Sequence, residues 1–438
     1  RSGGGGAGSD AAGGGRPLLV LIDRNSDLVT PLHHTSTYQA LVDDVLDHKG
    51  NRITVKEEDK ATKKTYDMDP DGDPFYAAYK FSPFPDAIEA NGKEMADVAA
   101  REQEVRSKAS AAAPTPNVVV HAESTGTSDL ASAVDSLPAL LQRKKQLEMH
   151  LAFLQAAMNQ AMARDIPVYF ELENDMATGH YQSNAAGAKA EVLKLVSKAM
   201  GGGSVQDKLR LVAVFCLATS AAGSDIDEVV AAMQNAYEQA QAASKVAPPD
   251  APIPGPTAVD MEAVRKGAGA VSYLRRLRSI QMLPTQALGQ NALEKKPGDN
   301  TVFSSLMAKV QTQATGLLAN ATEKVSSMLG RGHTDYATRV VENLTEMRPN
   351  TEDESFLYLD PKMVRGLEVD VNTLRGFRPP VREVILFVIG GGCYAEFQNL
   401  QSSVMEGGSM GMTRRGITYG CTELMCPEAF LNQLTELA

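Results

Sequence analysis

Three consecutive glycines, Gly390 to Gly392, are the residues most suggestive of a ligand site, and they follow the apolar run VREVILFVI. Backbone amides at such a strand-to-helix turn can bind a phosphate group, because the start of a helix attracts anions. The sequence GGGCYA lacks the lysine of a P-loop, however, and its spacing differs from G-x-G-x-x-G. A tight turn therefore explains the glycines better than a nucleotide site does.

A second set of residues combines carboxylates and imidazoles after another apolar run. Its members are Asp23, Asp27, His33 and His34. Such groups at the carboxyl end of a strand can bind a metal ion, but no third segment offers further ligands at a recognisable spacing. We predict instead that the two aspartates accept hydrogen bonds from loop amides or pair with Arg24. The histidines are expected to be partly buried in the adjoining turn, and we predict no metal and no cofactor.

Nucleophilic catalysis has little support in the sequence. No G-x-S-x-G elbow is present, and no cysteine has an evident histidine partner. The four cysteines form no zinc-type pattern: Cys216, Cys393, Cys421 and Cys426. We expect free, buried, reduced thiols in a cytosolic protein. We predict that the chain is not an enzyme; the alternative that stays open is a nucleotide-dependent α/β enzyme with a helical insertion.

The elements that position these residues come from both ends of the chain. Leu18 to Ile22 is a continuous apolar run that predicts a strand covered on both faces, and a helical pattern follows from Tyr38. Residues 381–400 again predict a strand, a glycine turn and a helix, and residues 416–437 add a further strand and helix. The predicted fold class is α/β, a parallel sheet with flanking helices assembled from both ends of the chain, plus a large inserted, mainly helical domain.

Composition limits the possible partners. Hydrophobic residues make up 43% of the chain and charged residues 22%, which is sufficient for a core and a solvated surface. The formal net charge of -11 disfavours nucleic acid as a partner. No run of about 18 apolar residues occurs, so the sequence predicts no membrane-spanning helix.

Several separated phrases of the sequence resemble one protein family. They are LLVLIDRNSDLVTPLHHTSTYQALVDDVL, VQDKLRLVAVFCL, VVENLTEMRPN, LYLDPKM, ILFVIGGGCYAEFQNL and ITYGCTELMCPEAFLNQL. In this order they resemble the SM family, the Sec/Munc chaperones of SNARE assembly. The histidine pair in TPLHHTSTYQALV and the ending YGCTEL are most similar to its Sly-type branch, which serves traffic between endoplasmic reticulum and Golgi. The resemblance covers roughly residues 16–438 with gaps.

The start of the chain departs from the family pattern. Residues 1–15 are the glycine-rich RSGGGGAGSDAAGGG, which we expect to be disordered because it offers little apolar surface to bury. Members of the family have a separate α/β domain ahead of the first strand found here, and in the Sly-type branch that domain binds the N-terminal peptide of a syntaxin-type SNARE. We therefore expect this chain to lack that domain and that binding site.

The resemblance and the chain's patterns together predict a domain organisation. Residues 16–50 and 380–438 are expected to form a split α/β domain, the second domain of SM proteins. Residues 51–379 are expected to form the inserted, mainly helical third domain. Within it we predict a helical hairpin at about 86–165 and a lid-like loop at about 284–333.

The long helix predicted at 130–163 carries leucines at heptad spacing. Leu140, Leu147 and Leu154 are seven apart, as are Leu151 and Met158. An ordinary helical hairpin would bury this stripe, and that interpretation stays open for some of its members. The resemblance implies instead a template for SNARE helices with a proline near the hairpin tip. The implied template residues are Pro138, Leu141, Leu147, Leu151, Leu154 and Met158.

A second amphipathic segment covers residues 302–331, and its polar face has few charges. Its apolar positions include Phe303, Leu306, Met307, Val310, Leu317, Leu318, Val325 and Met328. This pattern is typical of a helix that inserts into membrane by apolar contact, or of a lid lying on the protein. The resemblance favours a regulatory lid that makes peripheral membrane contact.

The sequence therefore predicts a non-catalytic SNARE-binding chaperone that templates SNARE complex assembly for vesicle docking and fusion. Expected partners are syntaxin-type SNAREs, v-SNAREs and the SNARE bundle. The expected location is cytoplasmic, peripheral at ER and Golgi membranes.

Overall fold

The computed structural model describes most of the chain and divides it into two compact units. The described residues are 17–56, 63–111, 125–247, 253–280, 282–283, 334–346, 356–359, 381, 383–407 and 416–438. The first unit, here called the sheet unit, holds the described parts of residues 1–32, 269–287 and 333–438. The second, here called the helical unit, holds the described parts of residues 33–268.

The strands and helices have the following bounds. The strands are β1 Leu18–Asp23, β2 Asp47–Lys49, β3 Arg52–Lys56, β4 Lys63–Asp67, β5 Glu383–Ile389 and β6 Gly416–Cys421. The helices are α1 Tyr38–Val45, α2 Pro74–Tyr79, α3 Phe84–Ala111, α4 Thr125–Ala163, α5 Ile166–Ala177, α6 Ala185–Val196, α7 Val205–Ala218, α8 Gly223–Val246, α9 Ala258–Ser279, α10 Tyr336–Glu346, α11 Tyr394–Gly407 and α12 Pro427–Glu436.

The sheet unit is built on three parallel strands in the order β1-β5-β6. Leu18 pairs with Val384, and Val384 pairs in turn with Ile417. A strand from the start of the chain therefore lies beside two from its end, as the sequence predicted. The final helix buries Phe430, Leu431 and Leu434.

The described residues cover one face of the sheet. Val20 and Leu386 are buried and belong to a core cluster with the apolar side of α10. On the opposite face Leu19 and Leu21 are 57% and 56% exposed. The prediction that β1 is covered on both faces is therefore wrong. A continuous apolar run makes both faces of a strand suitable for burial, but it does not supply the layer that would cover the second.

The helical unit begins with a small antiparallel sheet in the order β2-β3-β4. In β3, Ile53 and Val55 alternate with polar residues and are buried. In β4, the ring of Tyr66 meets Phe153 of α4 edge to face, with ring centroids 5.1 Å apart. The sequence analysis did not predict these strands, because charged residues dominate the segment.

Two long helices, α3 and α4, pack against each other as the predicted hairpin. Asn91 donates from Nδ2 to the carbonyl oxygen of Leu147 at 3.1 Å, and Arg143 pairs with Glu94, so the two helices run antiparallel. The hairpin's α4 core residues share a cluster with α1, α2 and β3.

Helix α7 is the most deeply buried helix of this unit. Its residues from Leu209 to Cys216 are all buried. Its start is defined by a capping box: Asp207 accepts from the backbone N–H of Ser204 at 2.8 Å, and Ser204 Oγ accepts from Asp207 N–H at 3.2 Å. The capping box places a carboxylate inside the unit, where it contacts other charged groups described below.

Candidate partner-binding hairpin

The predicted template residues do not share one exposed surface. Leu147, Leu154 and Met158 are 0%, 1% and 3% exposed and belong to the core of the helical unit. In this structure these three residues are core residues, which is the interpretation that the sequence left open for some members of the stripe. The physical reason is tertiary packing: residues of α1, α3 and β3 cover this side of α4 and share one apolar core with it.

The remaining template residues lie toward the hairpin tip and have exposed surface. Leu141 is 49% exposed, Pro138 is exposed, and Leu151 is partly exposed. Helix α4 continues through Pro138, although the proline lacks an N–H and interrupts the backbone hydrogen-bond ladder there. The candidate binding surface is therefore the outer face of α4 near Pro138 and Leu141.

A shallow groove lies between the two hairpin helices next to this surface. It has a volume of about 440 Å³ and is lined by Glu94, Asp97, Val98, Arg101, Ala139, Leu140 and Arg143. Its lining combines an apolar floor with charges of both signs. Such a lining suits an amphipathic helix better than a small apolar ligand.

Buried polar contacts hold the middle of α4 in place. His150 Nε2 lies 2.8 Å from Asp73 Oδ2, and His150 Nδ1 lies 2.7 Å from the Tyr38 hydroxyl. Burial opposes ionisation of Asp73, but the hydrogen bond from His150 holds the pKa of that carboxyl below its usual value. This Asp-His-Tyr arrangement has the connectivity of a catalytic relay, yet His150 and Tyr38 are enclosed and no substrate can reach them.

The base of α4 is held by a cluster of charged side chains. Arg164 follows the last residue of the helix and donates from Nε to Asp207 Oδ2 at 3.1 Å. Arg210 donates to both carboxylate oxygens of Asp44, at 2.8 and 2.9 Å. Arg164 also donates to Asp44 Oδ1 at 3.3 Å. Burial opposes ionisation of Asp44, but Arg210 and its other cationic neighbours hold the pKa of that carboxyl below its usual value.

The glycine turn of the sheet unit has no free amides for a phosphate. Gly390 and Gly391 have φ angles of 105° and 102°, a region that favours glycine. Both donate their N–H groups to Thr422 Oγ1, at 3.0 and 3.2 Å, and Gly392 donates to the Glu423 carbonyl at 2.8 Å. The interpretation of these glycines as a tight turn is the one that this geometry supports.

A buried ion pair lies beside this turn. Arg24 donates from its two terminal nitrogens to Glu396 at 3.0 and 3.2 Å, and from one of them to the Gly391 carbonyl at 3.2 Å. Tyr419 donates its hydroxyl to Glu396 at 2.6 Å. The carboxylate of α11's first turn therefore accepts from groups of the protein itself.

The aspartates once considered for a metal site serve the loop after β1. Asp23 accepts from the Asn25 N–H at 2.8 Å, and Asp27 accepts from the N–H groups of Val29 and Thr30 at 2.9 and 3.0 Å. These contacts agree with the prediction of loop hydrogen bonds. Arg24 pairs with Glu396, donates from Nε to the backbone carbonyl of Asp27 at 2.8 Å and interacts electrostatically with the Asp27 carboxylate. Among the described residues, no group of three or more His, Cys, Asp and Glu side chains could hold a metal ion.

The remaining sequence predictions have mixed outcomes. All four cysteines are free thiols, with Cys216 and Cys393 buried but Cys421 and Cys426 only partly so. The eight positions proposed for the lid, Phe303 to Met328, lie outside the described residues. No helix in the described part of the chain is long and apolar enough to cross a membrane.

Comparison with known proteins assigns the family. The chain matches the model of the Sec1 family over residues 7–433. The chain belongs to the Sec1 family. Sec1 family domain-containing protein 1 of Homo sapiens is 31% identical over 436 residues, covering 96% of this chain and 60% of the relative. Protein sly1 homolog of Drosophila melanogaster is 31% identical over 437 residues, covering 97% of this chain and 61% of the relative.

These relatives confirm the resemblance to the Sly-type branch of SM proteins. The chain spans about three fifths of the length of the curated relatives it matches.

Solved structures of this family have the same fold. The structure of Sly1p in complex with an N-terminal peptide of Sed5p matches with a TM-score of 0.62 at 20% identity, covering 96% of this chain and 59% of that chain. The SM protein Vps45 in complex with the Qa SNARE Tlg2 (1-310) matches with a TM-score of 0.55 at 18% identity, covering 96% and 59%. The α/β fold with a parallel sheet is therefore confirmed.

Several polar and charged side chains that contact one another inside the protein were not predicted from the sequence. They are Asp44, Asp73, His150, Arg164, Glu173, Asp207, Arg210 and Glu396. One signal was available for Asp207: Ser204 three residues earlier forms the pattern of a capping box. The others contact partners that are far away in the sequence, and no local pattern marks them.

Proposed function

We propose that this chain is a SNARE-binding chaperone that templates SNARE complex assembly in transport between endoplasmic reticulum and Golgi. The observation that carries the proposal is membership of the Sec1 family, with Sly-named relatives matching 96% or more of the chain. Its partners would be syntaxin-type SNAREs, v-SNAREs and the assembling bundle. It would act without catalysis, in the cytoplasm and peripherally at ER and Golgi membranes.

The structure supplies a surface suited to this role. A SNARE motif is disordered alone and must become helical when it binds, which costs conformational entropy. A fixed helix that presents one apolar side chain among polar ones reduces this cost by offering a preorganised contact. The outer face of α4 near Pro138 and Leu141 has these properties. We therefore propose that Leu141, with Pro138 and Leu151 beside it, contacts a SNARE helix.

Two finer elements of the proposal concern the rest of the chain. We propose that residues 16–50 and 380–438 form one functional domain and residues 51–379 the inserted one. We also propose that residues 302–331 regulate access to the hairpin and contact membrane. The first element rests on the resemblance to SM proteins; by packing, residues 33–50 belong to the helical unit and residues 334–346 to the sheet unit. The second rests on that resemblance and on the amphipathic pattern of 302–331.

A binding experiment with one exposed residue tests the proposal. The full chain, its Leu141→Lys variant and a control Val259→Lys variant are incubated with purified ER-to-Golgi SNARE motifs, and bound protein is measured. Val259 is an apolar residue of α9 that is 77% exposed, so the control makes the same chemical change on another helix. We expect Leu141→Lys to weaken SNARE binding at least tenfold, because a buried leucine contributes roughly 1.5–3 kcal/mol to an interface.

The melting temperature of each variant is measured in parallel. Because both residues are exposed, we expect changes of no more than about 2 °C. A folded chain that binds none of these SNARE motifs would contradict the proposed function. Equal SNARE binding by the Leu141→Lys and Val259→Lys variants would mean that Leu141 is not part of the SNARE contact. Melting temperatures unchanged by ATP, GTP and NADH are also expected, since the glycine turn uses its own amides.

A further inference from the structure

His34 lies between two carboxylates in the interior of the helical unit. Its Nδ1 is 2.9 Å from both carboxylate oxygens of Glu173, and its Nε2 is 3.1 Å from Asp207 Oδ1. All three side chains are fully buried. A carboxylate oxygen can only accept a hydrogen bond, so each ring nitrogen of His34 must donate. An imidazole that donates from both nitrogens is an imidazolium.

The two carboxylates are themselves held in the ionised form. Glu173 also accepts from the backbone N–H of His34 at 2.8 Å, and Asp207 accepts from Arg164 and from the Ser204 N–H. Burial opposes ionisation of Glu173, but His34 holds the pKa of that carboxyl below its usual value. The pKa of Asp207 is lowered too, because hydrogen bonds from His34 and Arg164 outweigh its burial.

Among the side chains that hydrogen-bond to one another around His34, the charges balance when His34 is protonated. The buried ammonium of Lys208 also interacts with Asp207 electrostatically, but it donates to backbone carbonyls and to the Tyr237 hydroxyl. Three carboxylates, those of Asp44, Glu173 and Asp207, face two guanidinium groups, those of Arg164 and Arg210. One negative charge is left among these five groups, and an imidazolium at position 34 neutralises it. A buried charge without a partner is strongly destabilising, whereas a balanced and hydrogen-bonded cluster is tolerated.

The other neighbours of His34 do not supply this charge. The ring of Tyr169 lies 5.4 Å away, centroid to centroid. Burial lowers the pKa of His33, whose Nδ1 faces the His34 carbonyl and must donate to it. Burial and nearby Arg210 lower the pKa of His34 as well, but Glu173 and Asp207 outweigh them and raise it above its usual value. The pKa values of the two adjacent histidines are therefore shifted in opposite directions.

We propose that His34 is a positioning residue, protonated at neutral pH, whose imidazolium completes a hydrogen-bonded, charge-balanced cluster and fastens the base of α4 to α1, α5 and α7. The connections are direct. Asp207 of α7 contacts both His34 and Arg164, which follows α4, and Asp44 of α1 contacts both Arg164 and Arg210. Glu173 connects α5 to His34. Loss of the proton would leave one uncompensated negative charge at the base of α4.

This role has a consequence for partner binding that rests on the function proposed above. Helix α4 carries Leu141 more than twenty residues from its base, so a loosened base displaces the exposed face. Because the pKa of His34 is higher in the folded chain than its ordinary value of about 6.5, its stabilisation is fully present below that pH. The stabilisation is then lost as the pH rises through the folded-state pKa.

Thermal unfolding of four full-chain variants tests the proposal between pH 6 and pH 9. The variants are His34→Gln, Glu173→Gln, the double variant, and His180→Gln, in which an exposed histidine changes in the same way. We expect His34→Gln to lower the melting temperature by about 10 °C at pH 6. The difference from wild type should shrink as the pH rises. The double variant restores charge balance and should regain at least half of the loss, while His180→Gln stays within about 1 °C of wild type.

A direct measurement on the unmodified chain does not depend on whether the variants fold. The chain has seven histidines, so selective ¹³Cε1 labelling gives few NMR signals. We expect at least one to keep the chemical shift of an imidazolium at pH 8, and that signal to be missing in His34→Gln. Seven neutral histidines at pH 8 would overturn the proposal. A melting-temperature difference independent of pH, or additive effects of the two substitutions, would overturn it as well.

These measurements contain no SNARE, so they stand or fall separately from the proposed function. A final arm compares SNARE binding by His34→Gln and His180→Gln at pH 7. Weaker binding by His34→Gln supports the link between the cluster and the face of α4. Unchanged binding with an imidazolium signal at pH 8 would overturn that link and confine the role of His34 to stability.

Discussion

The interiors of the helical unit and the sheet unit differ in how buried charges are compensated and in how completely apolar residues are covered. In the helical unit the apolar core is closed, and a cluster of six charged groups joins four elements inside it. In the described part of the sheet unit the Arg24–Glu396 ion pair is buried beside the glycine turn, and one face of the sheet exposes Leu19 and Leu21. The helical unit thus combines a closed apolar core with buried charges that compensate one another. The sheet unit depends on one covered face.

The largest expected effect comes from breaking the buried Arg24–Glu396 ion pair of the sheet unit. Replacing Arg24 with alanine leaves the buried Glu396 without the guanidinium that it pairs with. We expect a loss of about 3–5 kcal/mol in the free energy of unfolding, measured by urea denaturation of the full chain. Such a loss would mean that one buried ion pair contributes strongly to the stability of the sheet unit, whereas in the helical unit several charged groups share the compensation.

Arg52→Ala is the matched control for that experiment. Arg52 pairs with Asp67 at 2.9 Å, but both side chains are more than two thirds exposed, at 71% and 77%. Solvent screens such a pair, so we expect a loss of less than about 1 kcal/mol. Similar losses in the two variants would mean that burial does not distinguish these ion pairs.

The second prediction sharpens the comparison within one helix of the helical unit. Leu154→Ala removes a side chain that is 1% exposed, and we expect a loss of about 2–5 kcal/mol in the free energy of unfolding. Leu141→Ala removes one that is 49% exposed, and we expect a change of less than about 0.5 kcal/mol. Urea denaturation measures both. Equal losses would mean that Leu141 also belongs to the core, which would exclude it from the binding surface.

The same helix shows how far the sequence could predict the site. The hairpin was predictable, because two long periodic segments follow each other and Pro138 has a counterpart in the SM pattern. The inward direction of Leu147, Leu154 and Met158 was not, since heptad spacing defines a stripe without saying whether a partner or the protein itself covers it.

The sheet followed from sequence because apolar runs bounded by turn residues are a local signal. Its open face did not, since the layer that would cover Leu19 is a property of the whole fold. The charged cluster was the hardest feature to predict, because it is formed by contacts between residues that are far apart in the chain. His34 contacts Glu173 and Asp207, which are 139 and 173 residues away in the chain. No spacing rule connects such residues, and the folded structure alone brings them together.

The smallest expected effect tests the two faces of the sheet with one chemical change. Ile22 is buried on the covered face of β1, whereas Ile389 of β5 is 47% exposed. Replacing either with valine removes one methylene group and keeps a β-branched side chain that suits a strand. We expect Ile22→Val to cost about 0.5–1.5 kcal/mol in the free energy of unfolding. Ile389→Val should cost no more than a few tenths of a kcal/mol, because water already reaches that side chain and no cavity forms.

Urea denaturation of the two variants, with an unchanged slope, measures this difference. A loss for Ile389→Val as large as that for Ile22→Val would show that the second face is also packed in solution. In that case the two units would differ only in how they compensate their buried charges. A further layer would then have to cover the exposed leucines of β1.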